Sequence, residues 1–263
     1  MALLKELMEH ESFPKVAQLE KWINASLAFR STRPSAQPFI SVIIPAHNEE
    51  AYLGRTLEAL AAQDYPLYEV IVIANGCTDH TAAVARRRCH RLLTLPEKGL
   101  GRARNTGARV ANGELLLFLD ADTLLEPGAL STIARQFTPR HAAGTLKGVP
   151  DSPRLGYRLI YFLKNFTHRT SLHQGSAGVI LCWKSGFEAV GGFDETLEVM
   201  ENSELIKRLR SLGKYRFVSG SAAVTSMRRY ERAGAWRTVW LWIKLWGESW
   251  FVSLRHRAYE TIR

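Results

Sequence analysis

Three short apolar runs constrain this chain more than any other feature. FISVIIP (residues 39–45), YEVIVIA (68–74) and ELLLFLD (114–120) carry almost no polar alternation, and each stops at a polar cluster. Runs of this kind are strands buried on both faces. Residues 50–63, with Leu53, Leu57 and Leu60, follow the first run with helical spacing, and residues 81–88 and 101–111 also read as helices. RLLTL (91–95) reads as a weaker strand. Strands alternating with helices predict an α/β fold: a Rossmann-like, mostly parallel sheet flanked by helices. Ligands of such sheets bind beyond the carboxyl ends of the strands.

That rule selects three loops. They are Pro45, Ala46, His47, Asn48 and Glu49 after the first strand; Asn75, Gly76, Cys77, Thr78 and Asp79 after the second; and Asp120, Ala121 and Asp122 after the fourth. The last is the strangest, because a hydrophobic strand ends on two carboxylates that repel each other. Either the pair forms a solvated turn or something positive sits between them. A hard divalent cation, Mn2+ or Mg2+, takes carboxylate oxygens and completes its shell with diphosphate oxygens and water. Asp120 and Asp122 are the candidate ligands.

Around this centre the chain is less regular. Residues 1–30 carry two helical stripes, and the polar, proline-bearing RSTRPSAQP (30–38) reads as a linker. Beyond Gly144, SAGVILCW (176–183) and YRFV (215–218) read as strands and residues 202–212 as a helix. The expected organisation is an N-terminal helical extension with linker (1–38), a catalytic domain (39–225) and a basic, tryptophan-rich helical segment (226–263). Helical spacing in that last segment puts Trp236, Trp240, Ile243, Trp246, Trp250 and Leu254 on one side, with arginines before and after. An amphipathic helix of this composition suits a membrane interface, and packing on the core is the other reading.

The motifs PAHNEE, NGCTDHTA, KGLGRARNTGARVANGE, FLDADTLLEPGAL and GGFDETL occur in one order. As a set, spread over residues 39–218, they resemble the family 2 glycosyltransferases, inverting enzymes with the GT-A fold. The resemblance implies roles. Pro45, Ala46, Asn48 and Glu49 would meet the nucleoside. Asn75 stands where the family usually has an aspartate facing the base, with Gly76 beside it, and Asp79 matches the second acidic position. Lys98, Gly99, Arg102 and Asn105 would close over the nucleotide and phosphates. Asp120 would lie near the ribose with Ala121 beside it, and Asp122 would hold the metal. Turns and caps are the plainer reading of Asn75 and Gly76, and of Asn48 and Glu49.

The pattern breaks at VMENSELIKRL. Relatives carry a Glu-Asp pair here whose aspartate takes a proton from the acceptor hydroxyl. This chain has Glu201 followed by Asn202, and an amide accepts no proton at neutral pH. Either Glu201 or Glu204 replaces the base, or the acceptor is an already ionised phosphate oxygen, or the protein binds a nucleotide sugar without transferring it. Arg228 and Arg229 are the candidates for holding an acceptor phosphate, because guanidinium forks match phosphate oxygens.

Composition narrows the alternatives. A formal net charge of +10 favours anionic partners without choosing among them. No nucleic-acid motif accompanies it, so no nucleic-acid partner is expected. GLGRARN follows the third strand, not the first, which argues against a dinucleotide-binding dehydrogenase. PAHNEEAY lacks the glycine-rich loop of a sugar-phosphate nucleotidyltransferase. Three scattered cysteines argue against a disulfide framework. With no signal-peptide layout and no apolar stretch of about 18 residues, the expectation is a cytoplasmic protein, peripheral on the membrane. Its partners would be a UDP- or GDP-sugar and a lipid-linked acceptor.

Overall fold

The computed structural model describes residue 35, residues 37–170, residue 175 and residues 178–234. The expected N-terminal helices and the tryptophan-rich helix beyond residue 234 lie outside the described residues.

The expected alternation is present. Strand β1 (Ile40–Ala46) leads to helix α1 (Leu53–Ala61), β2 (Tyr68–Asn75) to α2 (Thr81–Arg86), and β3 (Arg91–Leu95) to α3 (Leu100–Val110). Next come β4 (Leu115–Leu119), the short β5 (Thr123–Leu125), α4 (Ala129–Gln136), β6 (His141–Pro150) and α5 (Leu155–Arg169). The described chain ends with β7 (Val179–Trp183), α6 (Lys184–Ala189), α7 (Glu201–Leu209), β8 (Lys214–Thr225) and α8 (Arg228–Ala233).

All eight strands form one sheet, in the order β3-β2-β1-β4-β7-β6-β8-β5. The first four are parallel, and β7 pairs antiparallel with both β4 and β6. Side chains alternate between two cores. Val42, Ile44, Val72, Leu117 and Leu181 face one layer, while Ile43, Ile71, Ile73, Phe118 and Ile180 face the other. Both faces are covered, so the strands read as unbroken apolar runs. Gly107 lets α3 lie close on this second face. A Cβ there would collide with Ile43 and would stand 2.7 Å from Ile73 Cδ1.

The sheet order reverses between β1 and β4, the place where open α/β sheets bind ligands. The loops after β1 and β4 therefore open side by side.

The later elements differ most from expectation. β8 spans twelve residues, where only residues 215–218 read as strand. Its pairing with β6 jumps from Val218 to Ala222, so the polar Ser219, Gly220 and Ser221 bulge out and hide the strand's continuation. β6 is diluted by glycine. Gly144 is required because a Cβ would stand 2.6 Å from the Arg216 carbonyl.

Candidate active site

At the end of β1, Asn48 takes a left-handed backbone (φ 54°). Its side-chain oxygen accepts the Thr78 N–H at 2.8 Å, and its amide donates to Thr78 Oγ1 at 3.0 Å. The next turn is tied to the same neighbour. Glu49 N–H donates to Thr81 Oγ1 (2.7 Å), and Glu50 N–H donates to Asp79 Oδ2 (3.2 Å). Asp79 also accepts the Thr81 hydroxyl and N–H. Burial opposes ionisation of Asp79, but these hydrogen bonds outweigh it and hold the carboxyl below its ordinary value. Asn48 and Asp79 thus join the β1 and β2 loops into one rim.

Asn75 is almost fully buried and accepts the Gly99 N–H at 3.0 Å, while its carbonyl bonds the His47 ring at 2.7 Å. The amide therefore fastens the end of β2 to the start of α3. Gly76 (φ 62°) lets that turn press against Lys98, whose backbone nitrogen would stand 2.6 Å from a Cβ. Lys98 is exposed at the mouth. Arg102 donates to the Glu97 carbonyl at 2.6 Å and pairs with its carboxylate at 3.2 Å. Asn105 is tied to the loop after α6. It donates to the Phe193 carbonyl (2.9 Å) and Glu195 (2.8 Å) and accepts the Phe193 N–H (2.8 Å). Pro45 is the penultimate residue of β1, and Ala46 is buried at its last position.

The two aspartates after β4 do have positive partners, and both are arginines. Arg104, on the buried face of α3, donates to Asp120 at 3.1 Å, to Glu201 at 2.9 Å and to Asn202 at 2.7 Å. Its side chain is 3% exposed and its guanidinium lies 5.1 Å from the Phe193 ring centre. Arg228, on α8, pairs with Asp122 at 3.0 Å and with Glu49, and stacks over Tyr52 at 4.3 Å. Between them Ala121 is buried, and its carbonyl accepts the Thr56 hydroxyl at 2.8 Å.

Arg104 was not among the expected site residues, although its neighbours Arg102 and Asn105 were. The available signal was its helical spacing with Gly101, Gly107 and Ala108, which places a guanidinium on the apolar side of α3. The expected boundary at residue 226 cuts Arg228 off from the domain whose site it enters.

Burial, repulsion from Asp120 and repulsion from Glu49 push the Asp122 carboxyl up to about 6, against the pull of Arg228 and Arg229. Glu49 Oε2 is buried without a hydrogen-bond partner. Carboxylates here outnumber the guanidinium groups touching them, because Glu49, Asp120, Asp122 and Glu201 share Arg104 and Arg228. A surplus of oxygen ligands with one orphaned acceptor fits a hard divalent cation. Among the described residues no three His, Cys, Asp or Glu side chains form a ready-made cage. Asp122 and Asp120 would thus hold such an ion only jointly with ligand oxygens.

On α7, Glu201 lies against Arg104, and Glu204 receives the Arg208 guanidinium (Nε to Oε1, 2.6 Å). Both candidate bases are therefore engaged by arginine. From α5, Lys164 feels the charge of Asp120. Burial draws its ammonium down to about 8, with Asp120 opposing and Arg229 adding to the shift.

The sequence model of glycosyl transferase family 2 matches residues 41–189, more than half of the chain and every rim loop up to α6. The chain belongs to glycosyltransferase family 2. It is 40% identical over 96 residues to the glycosyltransferase AglE of Haloferax volcanii, covering 34% of this chain and 32% of that one. It is 31% identical over 128 residues to the poly(ribitol-phosphate) beta-N-acetylglucosaminyltransferase TarS of Staphylococcus aureus, covering 43% and 22%. The chain thus spans about a third or less of these relatives. Its fold is the GT-A fold. It matches the mannosyltransferase PcManGT of Pyrobaculum calidifontis, solved with GDP-Man and Mn2+, at a TM-score of 0.60 (21% identity, 80% of this chain, 66% of that one). It matches TarS residues 1–349 with UDP-GlcNAc at 0.57 (22% identity, 71% and 58%).

Proposed function

We propose that this family 2 chain transfers a sugar from a UDP- or GDP-linked donor to a lipid-linked acceptor or lipid phosphate, with inversion and with divalent-cation dependence. One observation carries the reading. Asp120 and Asp122 follow β4 beside the β1 loop, at the point where the sheet order reverses, and the arginines that meet them from α3 and α8 are shared with Glu201 and Glu49, which leaves carboxylates in excess.

Each part has a task. The rim of Asn48, Asp79, Asn75 and Gly76 shapes the nucleoside end of the cleft. Lys98, just before α3, offers positive charge to phosphates, while the Gly99 N–H is held by Asn75. Asp122, with Asp120, would supply protein oxygens for a cation whose shell ligand oxygens complete. When bound, that cation offsets charge gathering on the departing nucleotide diphosphate. Arg104 holds Asp120, Glu201 and Asn202 in one array, so α7 keeps a fixed place against the sheet. Glu204 holds Arg208 through both carboxylate oxygens, and Glu201 holds Arg104 through one. An anionic phosphate oxygen needs no base and attacks directly. Arg229 and Lys164 supply positive charge for that acceptor. No described helix is long and apolar enough to cross a membrane, and the membrane contact proposed is peripheral.

The same engagement of Glu201 and Glu204 supports a second reading, a nucleotide-sugar-binding protein without turnover. A thermal-shift panel of nucleotide sugars with and without Mn2+ tests the shared part of both readings. One donor should stabilise the protein only when Mn2+ is present. Stabilisation by none would overturn both. Asp122→Ala should abolish the cation-dependent shift. A sugar-release assay with a phosphate-monoester acceptor then separates an enzyme from a binder.

A further inference from the structure

The described residues include seven exposed large hydrophobic side chains, and five of them share one helix. Leu155 is 78% exposed, Leu159 57%, Phe162 66%, Leu163 53% and Phe166 51%, against 36% and 37% for Leu67 and Leu100. The α5 spacing of four, seven, eight and eleven residues from Leu155 places all five on one face. The opposite face is occupied. Tyr157 and Tyr161 pack with Met227, and His168 is buried. Single exposed apolar residues are ordinary, but five adjoining ones mark a contact surface.

We propose that this α5 face docks on an anionic lipid surface; the inference deepens the reading of a lipid-linked acceptor and rests on it. Charge complementarity selects the occupant. No aspartate or glutamate occurs between Asp151 and Glu188, whereas Arg154, Arg158 and Arg169 are exposed along or at the ends of α5. Arg154 pairs with Glu231 at 3.8 Å, which leaves Arg158 and Arg169 at the edge of the apolar stripe as the face's main charge. An apolar stripe edged by arginine suits the boundary between headgroups and acyl chains. The other occupants fit less well. Residues 235–263 carry five Lys and Arg against two Glu, and that basic excess is repelled by the arginine edge. A second copy would set like charges against each other. The inner side of the same helix adds a reason for this placement. Tyr157 and Tyr161 pack on Met227, next in the chain to Arg228, which enters the carboxylate site, so a helix seated on lipid would bring a membrane-borne phosphate near that site.

The test uses the full chain and phosphatidylcholine vesicles with and without phosphatidylglycerol. Wild type should sediment with the anionic vesicles. Leu159→Glu/Phe162→Glu/Phe166→Glu should weaken that partition at least about tenfold, and Arg158→Glu/Arg169→Glu should weaken it and flatten its salt dependence. The apo melting temperature of the triple variant should match wild type. Hydrogen exchange over residues 155–169 of the wild type should slow when anionic vesicles are added. Wild type that ignores the vesicles, triple-variant partition equal to wild type, or unchanged exchange would each overturn the proposal. So would a triple variant that loses stability without lipid, because the face would then be covered by residues 235–263 or a second copy. Donor-dependent thermal shifts, read on the same variants, keep the two ideas apart. Lost lipid binding with intact donor binding leaves the sugar-transfer reading standing, and absent donor binding with α5-dependent lipid binding does the reverse.

Discussion

Arg228 Nη2 stands 3.0 Å from Asp122 Oδ2 and also holds Glu49, so a guanidinium from the far end of the described chain neutralises the carboxylate best placed for a cation. Both partners are mostly buried, at 20% and 17% exposure, which keeps water from replacing either. Arg228→Ala would strand two buried carboxylates and should cost about 2–4 kcal/mol in EDTA. Mn2+ should restore part of that loss. The shift produced by Mn2+ should be larger for the variant than for wild type, read by melting in EDTA and in Mn2+. A smaller shift would mean that Arg228 assists cation binding and does not stand in for it.

Arg104 reaches three partners on two elements, Asp120 after β4 and Glu201 and Asn202 on α7. Arg104→Met should destabilise by about 3–5 kcal/mol, because Glu201 would stay buried without its counter-charge. Arg104→Lys keeps the charge but loses the planar fork, so it should recover only part of the stability. Urea unfolding midpoints of the three proteins check the order wild type, Lys, Met.

The raised Asp122 carboxyl, at about 6, gives the apo protein a definite pH profile. The folded state binds this proton more tightly than the unfolded chain does. The group's contribution is therefore fullest below its ordinary value near pH 4 and is lost as pH rises through about 6. The loss amounts to roughly 3 kcal/mol. Asp122→Asn should flatten the slope between pH 4 and 6.5 in urea titrations. Cation affinity should run the other way, falling about tenfold per unit below pH 6, because the proton and the ion compete for one carboxylate. Calorimetric Mn2+ titration at pH 5, 6 and 7 would show it.

β1, β2 and β4 and their rim loops were legible because a strand buried on both faces leaves an unbroken apolar run that stops where the rim begins, whereas the half-exposed edge strand β3 read only weakly. β6, β8 and α5 were not. Glycine at position 144 and the bulge at residues 219–221 break the pattern in the two strands, and α5 buries one face while exposing an apolar one, so no clean amphipathic period remains. At the site, the identities Asp122, Glu49 and Asn202 could be read, but their partners could not. Arg104 to Glu201 and Arg228 to Glu49 are contacts across 97 and 179 residues, and only tertiary packing makes them.

Asn202 separates two accounts of the missing base. It accepts from Arg104 Nη1 at 2.7 Å, beside the Glu201 carboxylate held by the same nitrogen at 2.9 Å. Asn202→Asp would put a second carboxylate on that nitrogen and turn negative charge towards the acceptor. For a neutral hydroxyl acceptor, the new carboxylate could take the proton, and transfer should rise by about 10²-fold or more. For an acceptor already ionised, there is no proton to take and the added charge repels it. Transfer should then fall about tenfold while the donor-dependent melting shift stays unchanged. The proposal of a phosphate acceptor requires the second outcome. Rates with a long-chain alkyl phosphate and with the matching alcohol, for wild type and Asn202→Asp, decide it; a gain with the alcohol and none lost with the phosphate would return the chain to base-dependent transfer.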